Sequence, residues 1–352
     1  MLTQEAILAA LKGVKYPGFS RDIVSFGLVK DVAVHGGEVR VLIQLTSANA
    51  EAAQQIKAAA EAIVRKLPGA DTVQVEVKQP SGAGPAPAGG TDPWASQNRV
   101  PGIKQIVAIA SGKGGVGKST VSVNLACALQ QAGQKVGLLD CDIYGPSIPL
   151  MMGIRQRPTV SADEKLVPPA NFGIKLMSIG FLVDGDQPVI WRGPMINKTI
   201  QQFLFAVEWG DLDFLLVDLP PGTGDAQLTL CQTVPLSGGV VVTTPQEASL
   251  GVVRKGMAMF AKVNVPILGI VENMSYFTAP GGERVHIFGE GGGRLEAARQ
   301  EVPFLGEVPI FTEIREGGDK GLPVVIGGRN TPPAEAFVGI AKNLIGELEK
   351  RG

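Results

Sequence analysis

Cysteine is scarce in this chain, with three in 352 residues: Cys127, Cys141 and Cys231. Their odd number and wide spacing exclude a disulfide framework and suit a reducing compartment. Each reads most simply as a small buried apolar residue. An excess of charge of either sign is lacking too. The 32 Lys and Arg residues nearly cancel the 33 Asp and Glu, leaving a formal net charge of -1, so no global field draws the chain to nucleic acid or to an anionic membrane. No apolar run approaches the length of a membrane span. The opening MLTQEAILAALKGV carries an acidic residue and has helical rather than continuous apolar spacing, which speaks against a secretory leader. A cytoplasmic protein is expected. What the chain does have, 45% hydrophobic residues over this length, suffices for one large core and a smaller one.

Residues 79–98, QPSGAGPAPAGGTDPWASQN, hold too few large apolar groups to build a core and read as a flexible linker. They divide the chain into a small α+β domain over 1–78 and a larger domain over 99–352. In the first, TQEAILAALKGV reads as a helix, and LVKDVAVHGGEVRVLIQLT as two alternating strands around Gly36-Gly37. NAEAAQQIKAAAEAIVRKL places Ile56, Ala60, Ile63 and Val64 at helical spacing, and DTVQVEVKQ alternates as a strand. The order is α-β-β-α-β. Beyond the linker the apolar strands QIVAIA, KVGLLD, FLLVD, GGVVVTT and ILGIVEN are nearly continuous and alternate with helical stretches. That pattern predicts a doubly wound, mostly parallel α/β sheet with its ligand site at the carboxyl ends of the strands.

The segment GKGGVGKS over 112–119 satisfies G-x-x-x-x-G-K-[ST], follows the strand IVAIA and opens the helix TVSVNLACALQQA, as a P-loop must. Its glycines let successive N–H groups point inward beside the positive end of a helix, which makes an anion cradle. Gly112, Lys113, Gly114, Gly115, Val116, Gly117, Lys118, Ser119 and Thr120 are therefore the expected binders of ATP. Lys118 reaches the β- and γ-phosphates, and the Ser119 hydroxyl ligates Mg²⁺. Lys113, one residue after the first glycine, lies at the cradle's edge. Its natural use is in trans, neutralising a phosphate on a second subunit in the manner of an arginine finger.

Two strand ends supply acids. KVGLLDCDIYGPSIP places Asp140 at a strand terminus and Asp142 just beyond it, where a carboxylate orients the attacking water. DFLLVDLPPGTGD places Asp218 where a Walker B carboxylate holds Mg²⁺ through water, followed by glycines and Thr223 suited to sensing the γ-phosphate. GIVENMS ends a strand at Asn273, whose amide is suited to the adenine edge. Arg192, in PVIWRGPM, has no assigned mechanism. The catalytic set is thus Lys113, Lys118 and Asp142, in a slow P-loop ATPase.

KGGVGKST resembles the deviant Walker A loop of the ParA/MinD group of P-loop ATPases, whose extra lysine serves a nucleotide-sandwich homodimer. DIYGPSIP, WRGPM, DLPPGTGDAQLTL, ENMSYF, IFGEGGG and PFLGEVPI followed by IREGGD are similar to motifs of the Mrp/ApbC family of iron–sulfur cluster carrier ATPases. GFSRDIVSFGLVKDV looks like the MIP18-type domain often fused ahead of it. The resemblance implies ATP hydrolysis coupled to holding a labile [4Fe–4S] cluster between subunits and passing it to apo-protein clients. Many members hold the cluster with a C-x-x-C just after NMSYF. Here Ala279 and Gly282 occupy those places, and Ala50 stands where the small domain of relatives carries a reactive cysteine. The cluster ligands are therefore unassigned.

Two other functions fit the same loop. A ParA/MinD-like spatial organiser would need a Lys/Arg cluster for DNA or a basic amphipathic tail for membrane. No such cluster stands out, and AEAFVGIAKNLIGELEKRG mixes acids with bases and is expected to dock on its own sheet, so neither nucleic acid nor membrane is an expected partner. An ATP-driven scaffold or chaperone without a cluster is the other.

Overall fold

The computed structural model describes residues 2–14, 22–25, 27–35, 37–45, 50–78, 97–142, 145–182, 193–222, 225–328 and 330–351. Linker residues 79–96, together with Arg192 and Thr223, lie outside them. The chain forms two compact units, Met1–Gly90 and Thr91–Gly352.

The first unit runs α1 (Gln4–Leu11), β1 (Val29–His35), β2 (Glu38–Gln44), α2 (Ala50–Val64) and β3 (Thr72–Lys78). Strand β2 is central, antiparallel to β1 and parallel to β3. Alternation along the strands turns Val39, Val41, Ile43, Val73 and Val75 into one core with Ile7 and Leu11 of α1 and Ile56, Ala60 and Val64 of α2. Ile63, expected on the same helical face, is only partly buried. Thr3 starts α1 by accepting the Ala6 N–H at 3.3 Å, a side-chain cap for an otherwise orphaned donor.

The second unit opens with β4 (Ile103–Ser111), α3 (Lys118–Gln131), β5 (Val136–Asp140) and the short α4 (Ile148–Met151). Three two-residue strands follow, β6 (Thr159–Val160), β7 (Leu166–Val167) and β8 (Ala170–Asn171), then β9 (Ile174–Ser178) and α5 (Gly193–Phe205). The middle holds β10 (Leu212–Asp218), α6 (Asp225–Thr233), β11 (Gly238–Thr243) and α7 (Glu247–Lys262). The last part comprises β12 (Ile267–Thr278), β13 (Arg284–Val285), α8 (Gly292–Arg299), β14 (Phe304–Ile310), α9 (Thr312–Lys320), α10 (Val324–Gly327) and α11 (Pro332–Glu349).

Strand β4 lies between β10 and β11. The path reads β13-β12-β11-β4-β10-β5-β9-β8, with β14 on β12. Pairing is parallel from β12 through β9, and β8 and β13 are antiparallel. Every residue of β5 and β11 is buried, which is why these strands read as continuous apolar runs: helices cover both faces. The chain leaves β4 for β5 on one side and returns through β11 on the other. The carboxyl ends of β4, β5, β10 and β11 thereby meet at one crevice.

Two of the parallel strands, β9 and β14, carry little signal in the sequence. In β9, IKLMS, a lysine interrupts the apolar run, and its amine bonds the carbonyls of Glu208 and Trp209 at 3.2 and 2.6 Å. Glycine and glutamate break the pattern of β14. Helix α11 buries Phe337, Ile340, Ala341 and Leu344 and packs on β14 and α3. Among the described residues no helix is long and apolar enough to cross a membrane.

Candidate functional site

The loop after β4 ends at Gly117, whose φ of +81° caps α3 in the left-handed region. A Cβ there would fall 2.2 Å from Asn273 Nδ2, and one at Gly112 would fall 2.7 Å from the backbone of Val252 on α7. These two positions exclude side chains because β12 and α7 press on the loop from behind. Gly114 and Gly115 face open space instead, the side on which an anion can approach the backbone.

Behind the loop the charged groups converge. Lys118 is 5% exposed and Asp218, at the end of β10, is 0% exposed. Lys118 Nζ lies 2.6 Å from Asp218 Oδ2 and 3.5 Å from Asp142 Oδ2. The same Asp218 oxygen accepts from Ser119 Oγ at 2.7 Å, and Oδ1 accepts from Ser122 Oγ at 2.5 Å. A fully buried carboxylate is tolerable only with such compensation. Ser119 and Asp218 therefore present hard oxygen donors side by side, a set that suits Mg²⁺.

Asp140 takes a supporting place. Its Oδ1 accepts the Asp142 N–H at 3.1 Å and its Oδ2 accepts from Ser178 Oγ at 2.9 Å, fixing the turn that carries Asp142 out of the strand. Burial and the nearby Asp218 charge push the Asp140 carboxyl up to about 7. The folded protein then holds a proton that the unfolded chain, with an ordinary carboxyl near 3.8, has already released. This group's contribution to stability falls as pH rises from about 4 to about 7. In nucleotide-free protein the melting temperature of Asp140→Asn, relative to wild type, should climb across that window. A constant difference from pH 4 to 7 would refute the buried, protonated Asp140.

Lys113 stands apart from this cluster. Its Nζ donates to Gln246 Oε1 at 3.2 Å, at the N-cap of α7. Asn273 is engaged structurally, its Nδ2 donating to the Val116 carbonyl at 2.8 Å. That bond ties β12 to the loop and leaves any contact with a base to the rest of the amide. The next residue, Met274, has φ +57°, rare for a residue with a side chain. The pairing of β12 with β14 shifts register just there, and Met274 joins Gly117, Thr120, Asn273, Ile310 and Ile314 around a largely apolar cavity of about 490 Å³. This cavity adjoins the start of α3.

Several participants went unnoticed in the sequence. Ser122 is four residues after Lys118, so helical spacing alone places both on the same face of α3. Gln246, Ser178 and Gln227 had no such signal. The Gln227 amide holds the turn after β10 by donating to the carbonyls of Pro220 and Gly222 at 2.7 and 3.0 Å.

The absent cysteine pair maps to a hairpin turn. Ala279 N donates to Glu283 O and Gly282 N to Ala279 O, both at 2.8 Å, closing the turn between β12 and β13 with backbone alone. All three cysteines are buried. Burial pushes the thiols of Cys127 and Cys231 up to about 12, and burial with the surrounding aspartates pushes Cys141 well up. Because the thiolate is the iron ligand, none is a ready one. Among the described residues no group of three or more His, Cys, Asp or Glu is placed to hold a metal.

Comparison with known proteins agrees with this architecture. The profile of the ParA family, described as NUBPL iron-transfer P-loop NTPase, matches residues 102–345, and that of the iron–sulfur cluster assembly protein family matches residues 4–77. An iron–sulfur cluster carrier protein of Synechocystis is 47% identical, covering 99% of this chain and 98% of its own. A nucleotide-binding protein from Archaeoglobus fulgidus, solved in complex with ADP, is 41% identical with a TM-score of 0.59, covering 68% of this chain and 94% of that one. The cell division ATPase MinD of Pyrococcus furiosus shares the fold at 24% identity and a TM-score of 0.52, covering 70% and 99%.

Proposed function

We propose, for a chain that belongs to the ParA family of NUBPL-type iron-transfer P-loop NTPases, that it hydrolyses ATP slowly and uses the nucleotide cycle to carry [4Fe–4S] clusters to apo-proteins. The observation that carries the ATPase half is the constellation of Lys118, Ser119 and Asp218 beneath an intact phosphate loop. The carrier half rests on full-length similarity to a carrier protein.

In this reading the backbone N–H groups of the loop bind the β- and γ-phosphates, and Lys118 exchanges its carboxylate partners for phosphate oxygens. Ser119 would hold Mg²⁺ directly and Asp218 through water, and the ion would supply positive charge against the phosphates. Asp142, 3.5 Å from Lys118 Nζ, orients the attacking water. The base lies in the cavity beside Asn273 and Thr120. Lys113 completes the site across a homodimer by leaving Gln246 for the partner's phosphate. The small domain over 1–78, joined by the linker over 79–98, presents the client.

The cluster is cargo here, and the chain's own thiols do not fit it. One accessible cysteine per subunit would give two ligands in a dimer where a [4Fe–4S] cluster takes four, and the three present are buried. A cluster on this protein is therefore bound transiently, completed by a client's cysteines or a small thiol. After anaerobic reconstitution, the isolated protein should lose its iron on gel filtration yet still speed cluster delivery to an apo-protein. ATPase activity should survive volume-conserving replacement of Cys127, Cys141 and Cys231. About four irons per dimer retained on the column would overturn the transient binding. Without any gain in delivery the same absence of thiols would favour an ATP-driven scaffold.

A further inference from the structure

Ile287 is a large aliphatic side chain left 56% exposed, in the limb that returns from the hairpin between β12 and β13. The limb is held in shape. Arg284 stacks 4.3 Å from the centre of the Tyr276 ring, a cation–π contact across the two strands. Ile287 N–H donates to the Val285 carbonyl at 3.1 Å. Farther on, Gly293 N–H donates to the carboxylate of the buried Glu272 at 2.5 Å. Glu272 and Asn273 are consecutive on β12, so one dipeptide ties the returning limb at Gly293 and the phosphate loop at Val116.

Between these anchors the hairpin contributes both its limbs to one cavity. Met274 lines it from the outgoing strand, and Ile287 with Phe288 from the return. Gly117 and Thr120 of the phosphate loop and α3 line the same space. A planar base attached to phosphates in the loop enters this cavity, and its faces need apolar cover. We infer that Ile287, backed by Phe288, is a base contact, and that a bound adenine nucleotide thereby locks the hairpin whose turn holds Ala279 and Gly282. This rests on the nucleotide reading above and adds to it a direct mechanical link. The base covers an aliphatic side chain otherwise given to water, and it holds the two limbs at one spacing. The hairpin thus reports nucleotide occupancy by packing rather than through a metal.

The test uses full-length protein and Mg-ADP, which avoids turnover. In wild type, ADP should slow amide exchange over residues 276–286. Ile287→Ser should weaken ADP binding by about tenfold, the equivalent of uncovering much of one aliphatic side chain, and abolish the protection at matched occupancy. Val285→Ser is the control, since Val285 is 42% exposed on β13 but does not line the cavity; it should bind ADP as wild type does. Ile287 is exposed, so its replacement should leave the melting temperature unchanged. Equal ADP affinity of wild type and Ile287→Ser would overturn the inference, as would equal losses in the two variants or ADP binding without hairpin protection. Failure of the wild type itself to bind ADP would overturn the nucleotide reading and this inference with it.

Discussion

Lys118→Ala should lower Mg-ADP and Mg-ATP affinity by at least about 100-fold, because its amine is, among the described residues, the one cation buried behind the loop and a charge-assisted bond to phosphate is lost with it. The same substitution strips Asp218 of its counter-ion at 2.6 Å. Breaking a buried ion pair from one side costs about 3–5 kcal/mol. Ser119 and Ser122 continue to donate to Asp218, which puts the loss near the lower end of that range. Two readouts separate the effects: calorimetry for affinity, and denaturant unfolding for stability. Lys118→Met keeps the packed stem while removing the charge, and it should reproduce the affinity loss. An unchanged nucleotide affinity in a folded Lys118→Met protein would exclude the assigned loop.

For Lys113→Ala the expectation is the reverse split. Its amine contacts Gln246 rather than the carboxylates around Lys118, so nucleotide affinity should stay within a few-fold of wild type. Turnover should fall on the order of 10³-fold, the lower range of what a charge supplied in trans contributes to phosphoryl transfer. A mixed dimer sharpens the test. Paired with an Asp142→Ala subunit, which still carries Lys113, the Lys113→Ala subunit regains a complete site, so mixing two inactive proteins should restore activity. No rescue, together with a monomeric ATP-bound form in sedimentation, would refute action across a dimer.

The structure gives the paired lysines of one loop different surroundings, a distinction the sequence made only by position. Lys118 is the lysine of G-x-x-x-x-G-K-[ST], and the structure buries it between Asp218 and Asp142. Lys113 follows the first glycine and reaches α7. Strand ends such as Asp140 and Asp218 were visible because buried parallel strands read as apolar runs that stop at a carboxylate. Ser178, Gln227 and Gln246 were not visible: a lone polar residue carries no period, and its partner lies 38 residues away for Ser178 and 133 for Gln246. Strand β9 escaped for a related reason. Its lysine breaks the apolar run, and only the fold shows that the amine finds two carbonyls.

Asn273 illustrates the limit on the other side. The segment GIVENMS reads as a strand that ends in an amide suited to adenine, whereas in the fold β12 runs on past Asn273 to Thr278. Only the packed molecule shows that the amide nitrogen is already given to Val116, and that the left-handed turn at Met274 swings the next side chain into the cavity beside the loop.

The sequence by itself determined the composition of the phosphate cradle, the alternation of buried strands with helices, the α-β-β-α-β order of the small unit and the absence of a cysteine pair after NMSYF. All of these are local: they depend on residue type, on spacing within one turn or strand, or on a backbone that only glycine permits. Tertiary structure decided which groups meet. It brought the ends of β5 and β10 side by side, set the hairpin's return limb against the space next to the loop and sealed three thiols in the interior. Those outcomes depend on chain crossovers and close packing between segments tens to hundreds of residues apart, where a short stretch of sequence carries no information about its neighbour.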